Sequence, residues 1–331
     1  MDDWLQAALR APAVLVTVAI VEGSVPREPG AKMLVTAAGF AGTIGGGHLE
    51  HRAIEIARAM LKVGGAPRIE RFALGPSLGQ CCGGIAHLAF EVADREQMAL
   101  LDARRSVDTV RVFAFGEATW ALFDGAGTHI AGGAVPAFDH TAGTHVFLDA
   151  GGRCWLADAI LAPRAHLMLF GAGHVGAAIV RALAELPCRV TWVDEREDLF
   201  PVDVPSNVTI EATDIPEALV QAAAPGTTFL VMTHSHALDL RLSNAILSRP
   251  GQDWFGLIGS STKRRQFEHR LRERGIADDK IDAMVCPIGL PGIAGKAPAV
   301  IAVSCAAQLL AVWEAQETSA ASHPEVSPES N

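Results

Sequence analysis

Cys81 and Cys82 stand side by side in the run Leu78-Gly79-Gln80-Cys81-Cys82-Gly83-Gly84. A thiolate is both a nucleophile and a soft metal ligand. The two glycines that follow remove side-chain bulk and permit positive φ, so a large ligand or a second backbone can approach the sulfurs. The same residues also read as two small buried hydrophobes beside a turn. A second site is Gly42-Thr43-Ile44-Gly45-Gly46-Gly47-His48-Leu49-Glu50. Glycines leading into a helix leave amides free at the positive end of its dipole, where phosphate or another anion binds; a tight turn that simply requires glycine fits equally well. A third is Gly171-Ala172-Gly173-His174-Val175-Gly176, the dinucleotide fingerprint between a strand and a helix. Asp194 closes the next strand near the about 20-residue spacing at which a carboxylate meets a ribose hydroxyl. His234, His236 and Asp239 have types that suit a metal, with no cysteine or carboxylate cluster near them in sequence. Residues 259–265 (Gly-Ser-Ser-Thr-Lys-Arg-Arg) join a glycine, hydroxyls and cations that suit an anion, or simply solvated charges.

The elements that must position these residues follow from pattern. Residues 14–21 are apolar and mostly β-branched, as in a strand buried on both faces, and they run into a Pro- and Gly-rich loop at 22–30. Short strands are expected at 32–36 and 40–44. Leu49, Ala53, Ile56 and Met60 recur at helical spacing after the three glycines. Residues 85–92 alternate as a strand. Residues 108–160 alternate short β-like runs with turns and read as a sheet extension or connecting region with little chemistry in it. The second half repeats strand then helix: strands at 166–170, 189–193, 227–232 and 254–258, the first followed by a helix over 177–186. Such a frame also survives as a scaffold without a nucleotide, since fold does not fix function. Residues 287–296 form a Pro- and Gly-rich loop, followed by an apolar helix to about residue 313.

At 331 residues the chain is long enough for two domains. Charges interrupt every apolar stretch before the roughly 18 to 20 residues of a membrane span, and the acidic N-terminus lacks the pattern of a signal peptide. The expectation is a cytoplasmic protein with no membrane partner, whose six cysteines are thiols rather than disulfides. Cys154, Cys188 and Cys305 read as packing residues. A net charge of −10 without a dense basic run argues against nucleic acid.

Together, Gly23-Ser24-Val25-Pro26-Arg27 and residues 42–50, 80–84, 171–176, 233–239, 256–267 and 287–304 resemble the XdhC/CoxI family, the xanthine dehydrogenase accessory proteins. The likeness runs through nearly the whole chain and is nearest to the XdhC branch. It implies an α/β protein: a mixed α/β XdhC/CoxI domain with a β-rich connecting region at 1–160, a Rossmann-like doubly wound parallel-sheet domain at 161–313, and a disordered tail at 314–331. It further implies a maturation chaperone without turnover that transiently binds the molybdenum cofactor (molybdopterin), supports its sulfuration and inserts it into xanthine dehydrogenase. The implied partners are the cofactor-accepting subunit of that enzyme, a cysteine desulfurase and the cofactor's biosynthesis proteins; a homodimer is expected on general grounds. By the same resemblance Cys82 matches the family's cysteine before two glycines, a soft contact for molybdenum, with Cys81 its neighbour. Glu50 matches the glutamate that closes the glycine-rich segment, and Gly45, Gly46 and Gly47 are candidates for the cofactor's phosphate. Gly171, Gly173, Gly176 and Asp194 are candidates for a nucleotide. The alternative is an NAD(P)-dependent oxidoreductase built on that fingerprint, although the chain contains no tyrosine for a Tyr-x-x-x-Lys pair.

Overall fold

The computed structural model describes residues 3–75 and 83–322. It divides into two compact units that meet in sequence between Ala162 and Pro163.

The N-terminal unit is built on β1 (Ala13–Glu22), whose β-branched residues occupy the centre of an antiparallel sheet. Its neighbours are β2 (Lys32–Thr36), which pairs on with β3 (Phe40–Gly42), and β5 (Ile85–Val92), which pairs on with β4 (Arg68–Ala73). Leu15 lies opposite Leu34, and Val16 opposite Phe90. Strand periodicity sends Val14, Val16 and Val18 to one face, where α2 (Gly47–Val63) covers them with Leu49, Ala53, Ala57 and Met60. Helix α1 (Asp3–Arg10) and α3 (Arg95–Ala103) bury Trp4, Leu5, Met98 and Leu101 with Leu15 and Leu34 of the other face.

Residues 108–160 are more than a connecting region. Strands β6 (Thr109–Ala114), β7 (Trp120–Asp124), β8 (His129–Gly132), β9 (His145–Leu148) and β10 (Cys154–Ile160) make a second antiparallel sheet in the order β8-β7-β6-β10-β9. The alternation that marks the strands also supplies an inner face: Phe113 and Leu156 pack on Ala19 and Ala89 of the first sheet. Among these apolar contacts lies a buried ionic cluster. Arg111 of β6 is completely buried, and its Nη2 lies 2.5 Å from Glu91 of β5 and 3.0 Å from Asp158 of β10. The other oxygen of Asp158 takes Lys32 Nζ of β2 at 2.7 Å. Burial pushes the Glu91 carboxyl above its ordinary range, and the adjacent Arg111 pulls it back only in part.

The C-terminal unit carries a parallel sheet in the order β13-β12-β11-β14-β15, formed by β11 (Ala165–Phe170), β12 (Cys188–Asp194), β13 (Val208–Ala212), β14 (Thr228–Val231) and β15 (Phe255–Leu257). Both faces are covered, which is why its strands read as continuous apolar runs. Leu167, Leu169, Trp192 and Leu230 face α4 (His174–Ala182) and α9 (Pro298–Ser322). Phe170, Val193, Phe229 and Leu257 face the side of α5 (Pro216–Ala222), α6 (His236–Leu247), α7 (Ser261–Glu273) and α8 (Asp278–Ala283). The order reverses between β11 and β14, the crevice where ligands of doubly wound sheets bind. Helix α4 begins inside the glycine fingerprint, earlier than the apolar pattern alone places it. Helix α9 continues past Trp313 to Ser322, beyond where composition predicts order to end; Leu309 and Trp313 anchor it in the core, and the Ala-, Gln- and Glu-rich turns that follow favour propagation. Contrary to the expectation from charge spacing, residues 298–318 of this helix are long and apolar enough to cross a membrane by length and composition, although they include Glu314 and Glu317.

Removing one member of the buried cluster strands the others. Arg111→Met is expected to cost about 3 to 5 kcal/mol in urea unfolding. Arg111→Met combined with Glu91→Leu leaves the Asp158–Lys32 pair intact and is expected to recover most of that loss. By contrast, Arg153→Ala, which breaks the exposed pair with Glu117, should cost under about 1 kcal/mol.

Candidate functional site

Three segments singled out by their sequence converge at one end of the first sheet. The loop after β1 packs against the glycine turn before α2, where a Cβ on Gly45 would sit 2.6 Å from the Pro26 ring and φ is +121°. Arg27 Nη1 donates to the Thr43 carbonyl at 3.5 Å and forms a fork with Glu28. That guanidinium bond holds the Glu28 carboxyl below its usual range. The third segment is the return into β5. Gly84 N–H donates to the Ser24 carbonyl at 3.1 Å, and Leu74 N–H donates to the Gly84 carbonyl at 2.8 Å. Any side chain at Gly84 would collide with the carbonyls of Glu22 and Ser24. These contacts fix the two ends of the loop that carries the paired thiols. Cys81 and Cys82 themselves lie outside the described residues.

The glycine turn is not an open anion cradle. Glu50, in the first turn of α2, folds back so that its Oε1 accepts the N–H groups of Ile44 at 3.0 Å and Gly46 at 2.9 Å, and the Thr43 hydroxyl as well. Gly46 is the N-cap residue and Gly47 opens the helix; the carboxylate therefore answers both the turn amides and the positive end of the helix dipole. An incoming anion at Gly45, Gly46 or Gly47 would exchange with Glu50. His48 is exposed on the same turn, its ring 6.3 Å from that of His51. At the adjacent strand ends His87 Nε2 lies 3.1 Å from Glu22.

In the C-terminal unit Gly171 follows directly on β11, Gly173 is the N-cap of α4, and Gly176 sits in its first turn. A Cβ on Gly176 would run into the Gly171 carbonyl, which accepts from the Trp192 indole at 3.0 Å. Asp194 stands at the end of β12, where burial raises its carboxyl pKa; hydrogen bonds from Arg196 and from the Ala172 N–H outweigh that, leaving it lowered overall. Sequence reading passed over Arg196, although a cation two residues beyond a strand-ending acid is a visible signal for an ion pair.

The other candidates do not come together. Asp239 is fully buried, accepting from Lys263 Nζ at 2.6 Å and from the Thr233 hydroxyl at 2.7 Å, while His234 lies 3.6 Å from Glu195. Among the described residues no group of three or more His, Cys, Asp or Glu side chains is placed to hold a metal. Within residues 259–265 the cations are engaged by the protein: Lys263 by Asp239 and the Ile258 carbonyl, Arg264 by Glu268 and the Cys286 carbonyl.

Residues 167–309 match the XdhC Rossmann domain, and residues 6–73 match the XdhC and CoxI family. An uncharacterized protein of Escherichia coli K12, YqeB, is 31% identical over 167 residues, which is 50% of this chain. The aligned part spans 30% of that relative's length. A crystal structure from Bacillus halodurans described as a xanthine dehydrogenase superposes with a TM-score of 0.71 at 21% identity, covering 98% of this chain and 97% of the other; at that identity it shows a shared fold.

Burial pushes the Cys188 thiol up to about 11 and the Cys305 thiol up to about 12, and it raises Cys286 as well. Native protein treated with iodoacetamide at about pH 8 should leave all three unmodified by mass spectrometry. Alkylation of any of them before unfolding would contradict their placement in the core.

Proposed function

This chain belongs to the XdhC and CoxI family, and from that premise we propose that it binds the molybdenum cofactor, supports its sulfuration and delivers it to xanthine dehydrogenase. Its part is that of an accessory protein. The observation that carries the reading is the convergence of residues 23–27, residues 42–50 and the strand ends that bracket Cys81 and Cys82. One sequence thereby gathers glycine-rich backbone, an arginine and the strand ends on either side of the paired cysteines at a single sheet end.

The cargo is a pterin with a dithiolene-bound metal and a terminal phosphate, so its carrier needs a soft or polar group near the metal and a place for an anion. Cys82 is the proposed soft contact, with Cys81 its neighbour. Because Glu50 already sits on the amides of Ile44 and Gly46, capture of the phosphate there swaps one anion for another. Such an exchange costs little net hydrogen bonding in either direction. A carrier needs that balance, since contacts that could not be exchanged would trap the cargo. Arg27, within reach of the same turn through Thr43, is the nearby cation, and it would meet the phosphate by giving up its fork with Glu28. The sulfur would come from a cysteine desulfurase, and the receiver is the cofactor-accepting subunit of xanthine dehydrogenase in a reducing, cytoplasmic setting.

Cys82→Ala is expected to lower the molybdenum retained by purified protein, and the rate of activation of apo-xanthine dehydrogenase, by about tenfold or more, equivalent to about 1.4 kcal/mol. Cys81→Ala should do markedly less. Maturation by the Cys82 variant at the parent's rate would remove the thiol from the reading.

A further inference from the structure

The C-terminal unit has the strand order and glycine turn of a dinucleotide-binding domain, yet two of the places such a ligand needs, the ribose acceptor and the base slot, are filled by the protein. The first is the ribose acceptor. Asp194 Oδ2 accepts the Ala172 N–H at 2.7 Å and Arg196 Nη2 at 2.9 Å; Oδ1 accepts the Arg196 backbone N–H at 3.0 Å and Nε at 2.9 Å. An ionised carboxylate offers about four acceptor positions, and all four are taken. The side chain of Asp194 is 3% exposed. A ribose hydroxyl that donates to this residue would have to break a bidentate, charge-assisted pair, among the stronger hydrogen bonds a protein makes.

The second is the slot for the base. Beyond Asp194, at the carboxyl ends of the strands, Phe170, Val193, Thr213, Pro216, Leu238 and Leu242 line a cavity of about 10 Å³. That volume holds about one water, and a purine is far larger. Glu195 and His234 also line it and approach each other to 3.6 Å, joining the loops that follow β12 and β14. Nor does the loop suit a phosphorylated ribose: residues 194–198 read Asp-Glu-Arg-Glu-Asp, four carboxylates against one guanidinium, and a phosphate dianion would meet net repulsion.

We infer that this domain keeps the Rossmann frame without its dinucleotide site, and that Asp194 and Arg196 serve as a clamp that fixes the turn at residues 171–173. The clamp works through backbone: Asp194 holds the Ala172 amide, and Arg196 holds Asp194 in place. The inference is independent of the molybdenum reading, which draws on the N-terminal unit. It removes the nicotinamide-dependent oxidoreductase as an alternative function for this chain.

Titration of the full-length protein with NADH and with NADPH, followed by nicotinamide fluorescence and by calorimetry, tests it directly. No saturable binding is expected up to about 1 mM; saturation by either nucleotide within that range would overturn the inference whatever the variants do. Arg196→Ala with His234→Ala opens both obstructions, and NADH affinity should rise at least about tenfold into the measurable range. If that variant retains the parent's circular dichroism and still shows no gain, the occupied carboxylate and closed slot are not what keeps the nucleotide out. Asp194→Asn tests the clamp separately, because it weakens the Arg196 fork without emptying the position. A loss of hydrogen-exchange protection at the Ala172 amide is expected, and unchanged protection there would refute the clamp.

Discussion

A guanidinium with no exposure to water dictates the middle of the N-terminal unit. Moving Arg111 out of solvent is costly unless opposite charge and hydrogen bonds meet it, and the two sheets are placed so that Glu91 and Asp158 do so from different strands. Its Nε and Nη1 have no hydrogen-bond partner among the described residues; the Phe113 ring, 5.0 Å from Cζ, offers them a π face instead. Lys32 then balances the second carboxylate, and its Nζ also reaches the Gly30 carbonyl. Gly30 and Lys32 lead out of the loop that carries Pro26 and Arg27, so the cluster that joins the sheets also tethers one wall of the candidate site.

The same electrostatic rule operates at both glycine turns. Backbone amides left free at the start of a helix attract an anion, and in each unit the chain supplies that anion itself. Glu50 meets the amides of Ile44 and Gly46, and Asp194 meets those of Ala172 and Arg196. The two cases differ in what secures the carboxylate. Asp194 is buried and locked by an arginine fork, which makes its occupation durable. Glu50 carries no such partner in the described contacts beyond the turn it caps and Thr43. An exchangeable internal anion suits a carrier, whereas a locked one suits a scaffold. The contrast is consistent with function residing at the N-terminal sheet end.

Much of this architecture is legible in the amino-acid order. Continuous apolar runs at 166–170 and 189–193 mark strands covered on both faces, and the fingerprint at 171–176 places a helix after the first of them, because Gly176 alone allows the helix to approach the Gly171 carbonyl. The helical stripe of Leu49, Ala53 and Met60 is equally plain, since an amphipathic face requires that spacing. The β-rich stretch at 108–160 is visible as strands, but its closing into a separate sheet is not, because pairing partners far apart in sequence leave no local mark. The buried roles of Arg111 and Asp158 were hidden for the same reason: each reads locally as an ordinary charge within a strand.

Sequence by itself determined the order of elements, the thiol loop, the glycine turns and the family these blocks belong to, all of which rest on local spacing and residue type. Only tertiary structure decided how those groups are used. Whether an amide turn is open or filled, and whether Asp194 faces a ligand or an arginine, depends on which side chains fold back onto the backbone within a few ångströms. The residues for a metal at His234, His236 and Asp239 are present, but Lys263, brought over from α7, claims the aspartate. Hydrogen-bond capacity is finite, and folding allots it before any ligand arrives.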